Sequence, residues 1–191
     1  MIAKDYTEAL KDYVNREVAA IQALDLNSIN DVMNTLEEAR EEGKRIYICG
    51  NGGSSATASH FVCDFNKGLN DGIKRPYDFQ CLSDNTPIVS AISNDIGYDE
   101  VFRYQIKDRI HQGDIFFGIS GSGNSANVVN AMEYAKSVGA TIVALVGYDG
   151  GKMKKLADYC IHVNINDMQI SEDIHMMMDH LMMYVIGHSN D

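Results

Sequence analysis

Two stretches of this chain repeat one design, and the repetition narrows the available folds more than any other feature. Residues 45–49 (RIYIC) have the apolar content of a short buried strand, Gly50, Asn51, Gly52 and Gly53 make a turn of small residues, and a helix follows with Ser54 or Ser55 as its cap. Downstream, residues 114–119 form a second strand, residues 120–125 (SGSGNS) a second turn, and residues 126–129 open another helix. Small residues let the backbone approach a ligand closely, and the free amides and positive dipole end of a following helix attract an anion. Ser120, Ser122 and Ser125 add hydroxyl donors. The pair of turns is expected to face each other and hold a phosphorylated small molecule. Two such turns are harder to explain as plain chain reversals than either alone.

The rest of the chain supplies the layers. Residues 3–42 carry apolar positions at helical spacing and read as two antiparallel helices, with Ser28 as the N-cap of the second and Gly43 closing it. After the first turn, residues 56–67 continue as helix, 68–76 as loop and 77–82 as strand. Residues 86–93 and 99–110 read as helices, 141–146 and 159–163 as strands, and 168–188 as a last, methionine-dense helix. Alternating strands and helices imply βαβ units. The expected fold is α/β, a three-layer αβα sandwich on a mostly parallel five-stranded sheet. Ligands of such sheets bind off the carboxyl ends of the strands, where both turns lie.

With 191 residues, 45% hydrophobic content and 2 prolines, the chain has the size of one compact domain, 1–191. A net charge of −11 argues against nucleic acid, whose phosphates need clustered Lys and Arg. No apolar run approaches the roughly 20 residues of a membrane span. The 4 cysteines, Cys49, Cys63, Cys81 and Cys160, lack CxxC spacing and read as reduced core thiols, so the cytoplasm is the expected compartment. The last helix is apolar nearly all round, so burial on more than one side and an oligomer are expected.

Titratable residues gather on two of the helices. His60 and Asp64 are spaced i, i+4, and the final helix offers Glu172 with His175 at i+3, His175 with Asp179 at i+4, and His180. Two helices that each bring an imidazole and a carboxylate can hold a metal or an acid/base pair. Glu172 and His180 lie about 12 Å apart along a helix axis, so one ion would take both only at a helix break or from two subunits. His111, His162 and His188 read as structural or solvated.

The set CGNGGS (49–54), His60-Phe61, NDIG (94–97), GISGSGNSANV (118–128) and DGGKM (149–153) resembles the bacterial phosphoheptose isomerases of the sugar isomerase (SIS) domain superfamily. The resemblance implies a homotetramer of flavodoxin-like domains, with residues 1–43 packing in the oligomer. It implies an aldose-ketose isomerase that converts sedoheptulose 7-phosphate to D-glycero-D-manno-heptose 7-phosphate, for heptose precursors of lipopolysaccharide or capsule. Carried onto this chain, Ser54, Ser120, Gly121, Ser122 and Ser125 would bind the phosphate, and Asn51, Gly52, Gly53, Asn94 and Asp95 would line the sugar. The family's Zn2+ ligands would fall on His60, Asp64, Glu172 and His180. Asp64 or Glu172 would act as the base through an enediolate, with its pKa lifted by burial, and His180 as the general acid.

The chain departs from that family's usual pattern in four places. Asp64 stands where glutamate is common, Glu172 for glutamine, Gly68 for arginine and Gln169 for aspartate. The alternatives are a non-catalytic phosphosugar-binding or protein-docking relative and an isomerase of another capsule phosphosugar.

Overall fold

The computed structural model describes residues 4–71 and 73–189. In chain order the elements are α1 (Thr7–Gln22), α2 (Leu26–Glu42), β1 (Ile46–Cys49), α3 (Gly53–Cys63), a π-helical stretch (Asp64–Leu69), β2 (Phe79–Cys81) and α4 (Thr86–Asp95). A 3-10 turn (Tyr98–Glu100), α5 (Arg103–Ile106), β3 (Ile115–Ser120), α6 (Ala126–Ser137), β4 (Thr141–Val146), α7 (Gly151–Leu156), β5 (Tyr159–His162) and α8 (Met168–His188) follow.

The strands form one sheet in the order β2-β1-β3-β4-β5, and every pairing is parallel. β1 and β3 are buried along their whole length because helices cover both faces, so neither alternates between polar and apolar residues. Ile46, Ile48, Phe117 and Leu145 point to one layer with Leu36, Phe61, Ile174 and Met178. Tyr47, Phe116, Ile142 and Ala144 point to the other, with Ile106, Val128, Met132 and Met153. Edge strands β2 and β5 are short and partly exposed, which limits pairing with other chains. A cluster of Phe61, Phe65, Tyr77, Phe79 and Phe117, with ring centroids 4.7 to 6.5 Å apart, locks α3 and the π-helical stretch to the sheet.

The three-layer expectation stands, and several local readings change. The N-cap of α2 is Asp25, whose carboxylate accepts from the Asn27 and Ser28 amides. Ser28 lies inside the helix and donates its hydroxyl to Asp25. α3 starts earlier than its serines imply: Gly52 is the N-cap, with φ of 53°, and no side chain caps the helix. Residues 99–110 break into the 3-10 turn and α5, because Val101, Phe102, Ile106 and Ile110 must all reach the core and Asp108 takes a positive φ of 59°. Cys63 is exposed, so it is not a core thiol.

α1 has no buried residue and is tied to α8, by a hydrogen bond from Tyr13 to Asp173 and an ion pair of 2.6 Å from Arg16 to Asp167. Asp167 also caps α8 through the Ile170 amide. Among the described residues, no helix is long and apolar enough to cross a membrane.

Candidate active site

β1 and β3 are neighbours in register, Cys49 opposite Gly118, so the turns that leave their carboxyl ends stand side by side. The expected meeting of the two turns takes the form of an amide pair. Asn51 Nδ2 donates to Asn127 Oδ1 at 2.9 Å, and Asn127 Nδ2 donates back to Asn51 Oδ1 at 3.0 Å. Asn127 is buried and also accepts from the Val128 amide. Two further contacts hold the first turn: Ser83 Oγ donates to the Gly50 carbonyl at 2.9 Å, and Tyr98 Oη donates to Asn51 Oδ1 at 2.8 Å. Asn94 and Asp95, exposed and bonded to each other, end α4 just ahead of Tyr98.

The second turn is folded by its own polar atoms. Ser120 Oγ and Ser125 Oγ lie 3.0 Å apart, the Asn124 amide donates to Ser122 Oγ, and the Gly123 amide donates to the Ser120 carbonyl. Ser125 is the N-cap of the 12-residue α6 but spends no hydroxyl on capping, so the first amides of that helix have no side-chain partner from it. Gly123 has φ of 63°, and a Cβ there would meet the Gly150 carbonyl oxygen at 2.1 Å, so only glycine closes this turn against α7. The Met168 thioether lies against Gly121. Ser54, in contrast, is buried and packs beneath Gly50.

α3 and α8 run parallel, with Gly53 against Glu172, His60 against Asp179 and His180, and Gly68 against Met183. Glu172 thus reaches the first turn, where its Oε2 lies 2.5 Å from the position a Gly53 Cβ would take. Two helical turns further on, His60, Asp64, Asp179 and His180 converge, each offering a ligand atom within 4.8 Å of the others. His180 Nε2 is 3.1 Å from His60 Nε2, and His60 Nε2 is 3.5 Å from Asp64 Oδ2 and 3.8 Å from Asp179 Oδ2. Three of the four expected metal residues are therefore brought together, while Glu172 stands apart from them at the turn.

Asp179 is 0% exposed, and neither carboxylate oxygen has a hydrogen-bond partner. Burial, and secondarily the Asp64 charge, push its pKa up to about 7. A buried carboxylate in this state is costly unless a cation neutralises it. Two imidazoles and two carboxylates make a donor set suited to a divalent ion such as Zn2+. The i, i+4 pairing of His175 with Asp179 does not form. His175 is buried with both ring nitrogens lacking a hydrogen bond of ordinary geometry, and burial holds its pKa down at about 4 against a smaller pull from the Val146 carbonyl.

Residue types and spacing alone did not single out Asn127 or Tyr98, and they named Asp179 only as an i, i+4 partner of His175. Asp179 carried one signal, a carboxylate set between methionines on the stripe that must be buried. His162, bonded to Lys154 and the Tyr148 carbonyl, and His188, stacked on Tyr184, stand elsewhere.

Comparison with known proteins agrees with the fold. The SIS domain profile matches residues 9–147. A phosphoheptose isomerase of Aliarcobacter butzleri is 35% identical over 184 residues, covering 93% of this chain and 97% of that protein. One from Helicobacter pylori is 36% identical over 182 residues, covering 95% of this chain and 92% of that protein. The solved structure of a phosphoheptose isomerase from Neisseria gonorrhoeae superposes with a TM-score of 0.87 at 28% identity, covering 95% of this chain and 98% of that one. With its paired turns, its parallel sheet and this similarity along nearly its whole length, the chain belongs to the phosphoheptose isomerase family of SIS-domain proteins.

Proposed function

We propose that the protein is an aldose-ketose isomerase that converts sedoheptulose 7-phosphate to D-glycero-D-manno-heptose 7-phosphate, in the supply of heptose for surface polysaccharide. The observation that carries the reading is the Asn51–Asn127 pair, which ties the start of α6, beside the serine-rich turn, to the first turn, the one that Glu172 of α8 approaches. The phosphate sits on Ser120, Gly121, Ser122 and Ser125 at the start of α6, where amides and hydroxyls replace its water. Asn51, Gly52, Gly53, Asn94 and Asp95 then meet the sugar, with Ser54 supporting the turn from below.

Glu172, aimed at Gly53, takes the proton from C1 of the ketose. The C–H electrons form the C1=C2 bond and the carbonyl electrons move to O2. Return of the proton to C2 and loss of the O1 proton give the aldehyde. Asp64 is the less favoured base because it is drawn into the imidazole group. In the ion-free protein, His180 Nε2 can protonate O2; bound to a metal, that nitrogen has no lone pair left to carry the proton. Zn2+ held by His60, Asp64 and His180 would supply Lewis acidity for the developing oxyanion.

The protein works in the cytoplasm as a homo-oligomer, a tetramer. In support, α1 presents Tyr6, Leu10, Val14 and Val18 on one exposed stripe and buries none of its own residues. The domain is 1–191, with residues 1–43 packing between copies.

The test is to incubate the protein with sedoheptulose 7-phosphate in deuterated water, with and without chelator. Deuterium is expected at C1 of the recovered ketose and C2 of the aldose. No exchange would favour a non-catalytic phosphosugar-binding role. Exchange with another ketose phosphate alone would favour an isomerase of a different capsule sugar, a reading to which Gly68 lends weight because it stands near where the resembling family often has arginine.

A further inference from the structure

We infer that Tyr98 reads the sugar: its phenolic oxygen accepts a hydrogen bond from a hydroxyl of the substrate chain between the carbonyl end and the phosphate, and so helps to set which sugar phosphate the site takes. The inference deepens the isomerase reading and rests on it for the identity of the ligand.

The direction of each bond at this spot follows from one backbone amide. The Val128 N–H can only donate, and it meets Asn127 Oδ1 at 2.9 Å, so that atom is the carbonyl oxygen of its side chain. The other end of Asn127 is then the NH2 group. It faces Asn51 at 3.0 Å, which makes the facing atom of Asn51 a carbonyl oxygen in turn, Oδ1. A carbonyl oxygen cannot donate. The Tyr98 hydroxyl, 2.8 Å from Asn51 Oδ1, therefore spends its proton there. What remains on Tyr98 is acceptor capacity alone, strengthened because the same hydroxyl is donating.

This bond is not needed to satisfy the amide. Asn51 Oδ1 already accepts from Asn127, and Tyr98 is 51% exposed, so water could serve its hydroxyl as well. The backbone nevertheless holds the tyrosine in place. Gly97 has φ of 139° and ψ of 151°, a conformation open to glycine almost alone, although a side chain there would meet nothing within 4 Å. The bend at Gly97 thus serves the path of the chain from α4 to Tyr98. Beyond it Val101 and Phe102 are buried, Asn130 Nδ2 donates to the Asp99 carbonyl at 3.1 Å, and Gln105 Nε2 donates to the Leu82 carbonyl at 2.9 Å. An exposed tyrosine on a fixed backbone, with its proton committed and its lone pairs free, is placed to receive a donor.

Position and polarity agree with a sugar hydroxyl. Asn51 is bonded to Asn127 of α6 and stands two residues before Gly53, which Glu172 approaches, so it lies between the two ends of the proposed site. Reciprocal pairing with Asn127 uses the Asn51 N–H beside its carbonyl, and the outer N–H has no partner among the described residues. The amide offers a donor at one edge, and the tyrosine an acceptor beyond the other. A polyol chain, whose hydroxyls both donate and accept, can meet both. A carboxylate oxygen only accepts and leaves Tyr98 unserved.

The experiment measures binding to the full-length protein by calorimetry. The ligands are the alditol made by reducing the carbonyl of sedoheptulose 7-phosphate, which cannot isomerise, and its 3-, 4-, 5- and 6-deoxy forms. Tyr98→Phe removes only an exposed hydroxyl. For the parent alditol the variant is expected to lose about 10-fold in affinity, and wild type to lose a similar factor for one of the deoxy forms. Tyr98→Phe should bind that deoxy form as well as it binds the parent, while the other deoxy forms carry the same penalty in both proteins. Equal weakening of every ligand by Tyr98→Phe would mean that the hydroxyl acts on the protein alone, and no weakening that it does not meet the sugar. Either result overturns the assignment and leaves the isomerase reading standing. Failure of wild type to bind the parent alditol overturns the heptose reading, and this assignment with it.

Discussion

Asn51 and Asn127 exchange amide hydrogen bonds in both directions, at 2.9 and 3.0 Å, across the ends of two neighbouring strands. Each side chain uses both its donor and its acceptor on the other, so the pair specifies one relative position of the turns. Asn127→Ala would take the partner from the Val128 amide and from Asn51 Nδ2, leaving Asn51 Oδ1 with Tyr98 alone. Stability should fall by about 1 to 3 kcal/mol in urea melts, and kcat/KM should drop roughly 10- to 100-fold because the phosphate turn no longer fixes the sugar against the first turn.

The hydroxyls of Ser122 and Ser125 are expected to act on binding. Ser122→Ala and Ser125→Ala should each raise KM for the sugar phosphate about 10-fold, consistent with loss of one hydrogen bond to a charged group. Steady-state kinetics against phosphate-ester and unphosphorylated sugar would check this, since the latter should not discriminate the variants.

Glu172→Gln should lower kcat by roughly 10²- to 10⁴-fold with little change in KM, the signature of a lost proton acceptor. Gly53→Ala should imitate it, because the new Cβ would lie 2.5 Å from Glu172 Oε2 and push the carboxylate off its position. A Gly53→Ala enzyme with wild-type kcat would show that the approach of Glu172 to the turn has no role in turnover.

His175 makes the protein acid-sensitive. Its pKa is 6.5 when unfolded and is held at about 4 by burial, so between these values the unfolded state binds more protons. Its contribution is therefore intact above pH 6.5 and is lost as pH falls toward 4, by roughly 3 kcal/mol in total. Urea midpoints for wild type and His175→Gln at pH 7, 5.5 and 4.5 should diverge in slope, wild type losing stability faster.

The N-cap of α2 offers a separate check. Asp25→Ala should cost about 1 kcal/mol. Ser28→Ala should cost less, since Ser28 only donates to Asp25. Thermal melts of the two variants would rank the residues.

The layers and the turns were legible because they rest on local patterns. The apolar runs at Ile115–Ser120 and Thr141–Val146 mark buried strands whatever surrounds them, and SGSGNS announces a turn by residue type. Asp25 over Ser28 was not legible, because both are good caps and the choice depends on where the chain enters the helix. Asp179 was hidden for a different reason. Its burial opposite His60 follows from the parallel packing of α3 and α8, a relation between segments more than 100 residues apart that no spacing rule contains. The break at residues 99–110 likewise came from the core claiming four apolar anchors from one short segment.

The parallel course of α3 and α8 makes α8 a ruler. One residue inserted or deleted between Glu172 and Asp179 would swing the far side chains by about 100° and shift them by 1.5 Å. Drift can therefore exchange side chains along this segment, as it exchanges methionines for one another's volume, but it cannot change the segment's length. Any descendant of this chain that keeps both ends of the site must keep the count between them.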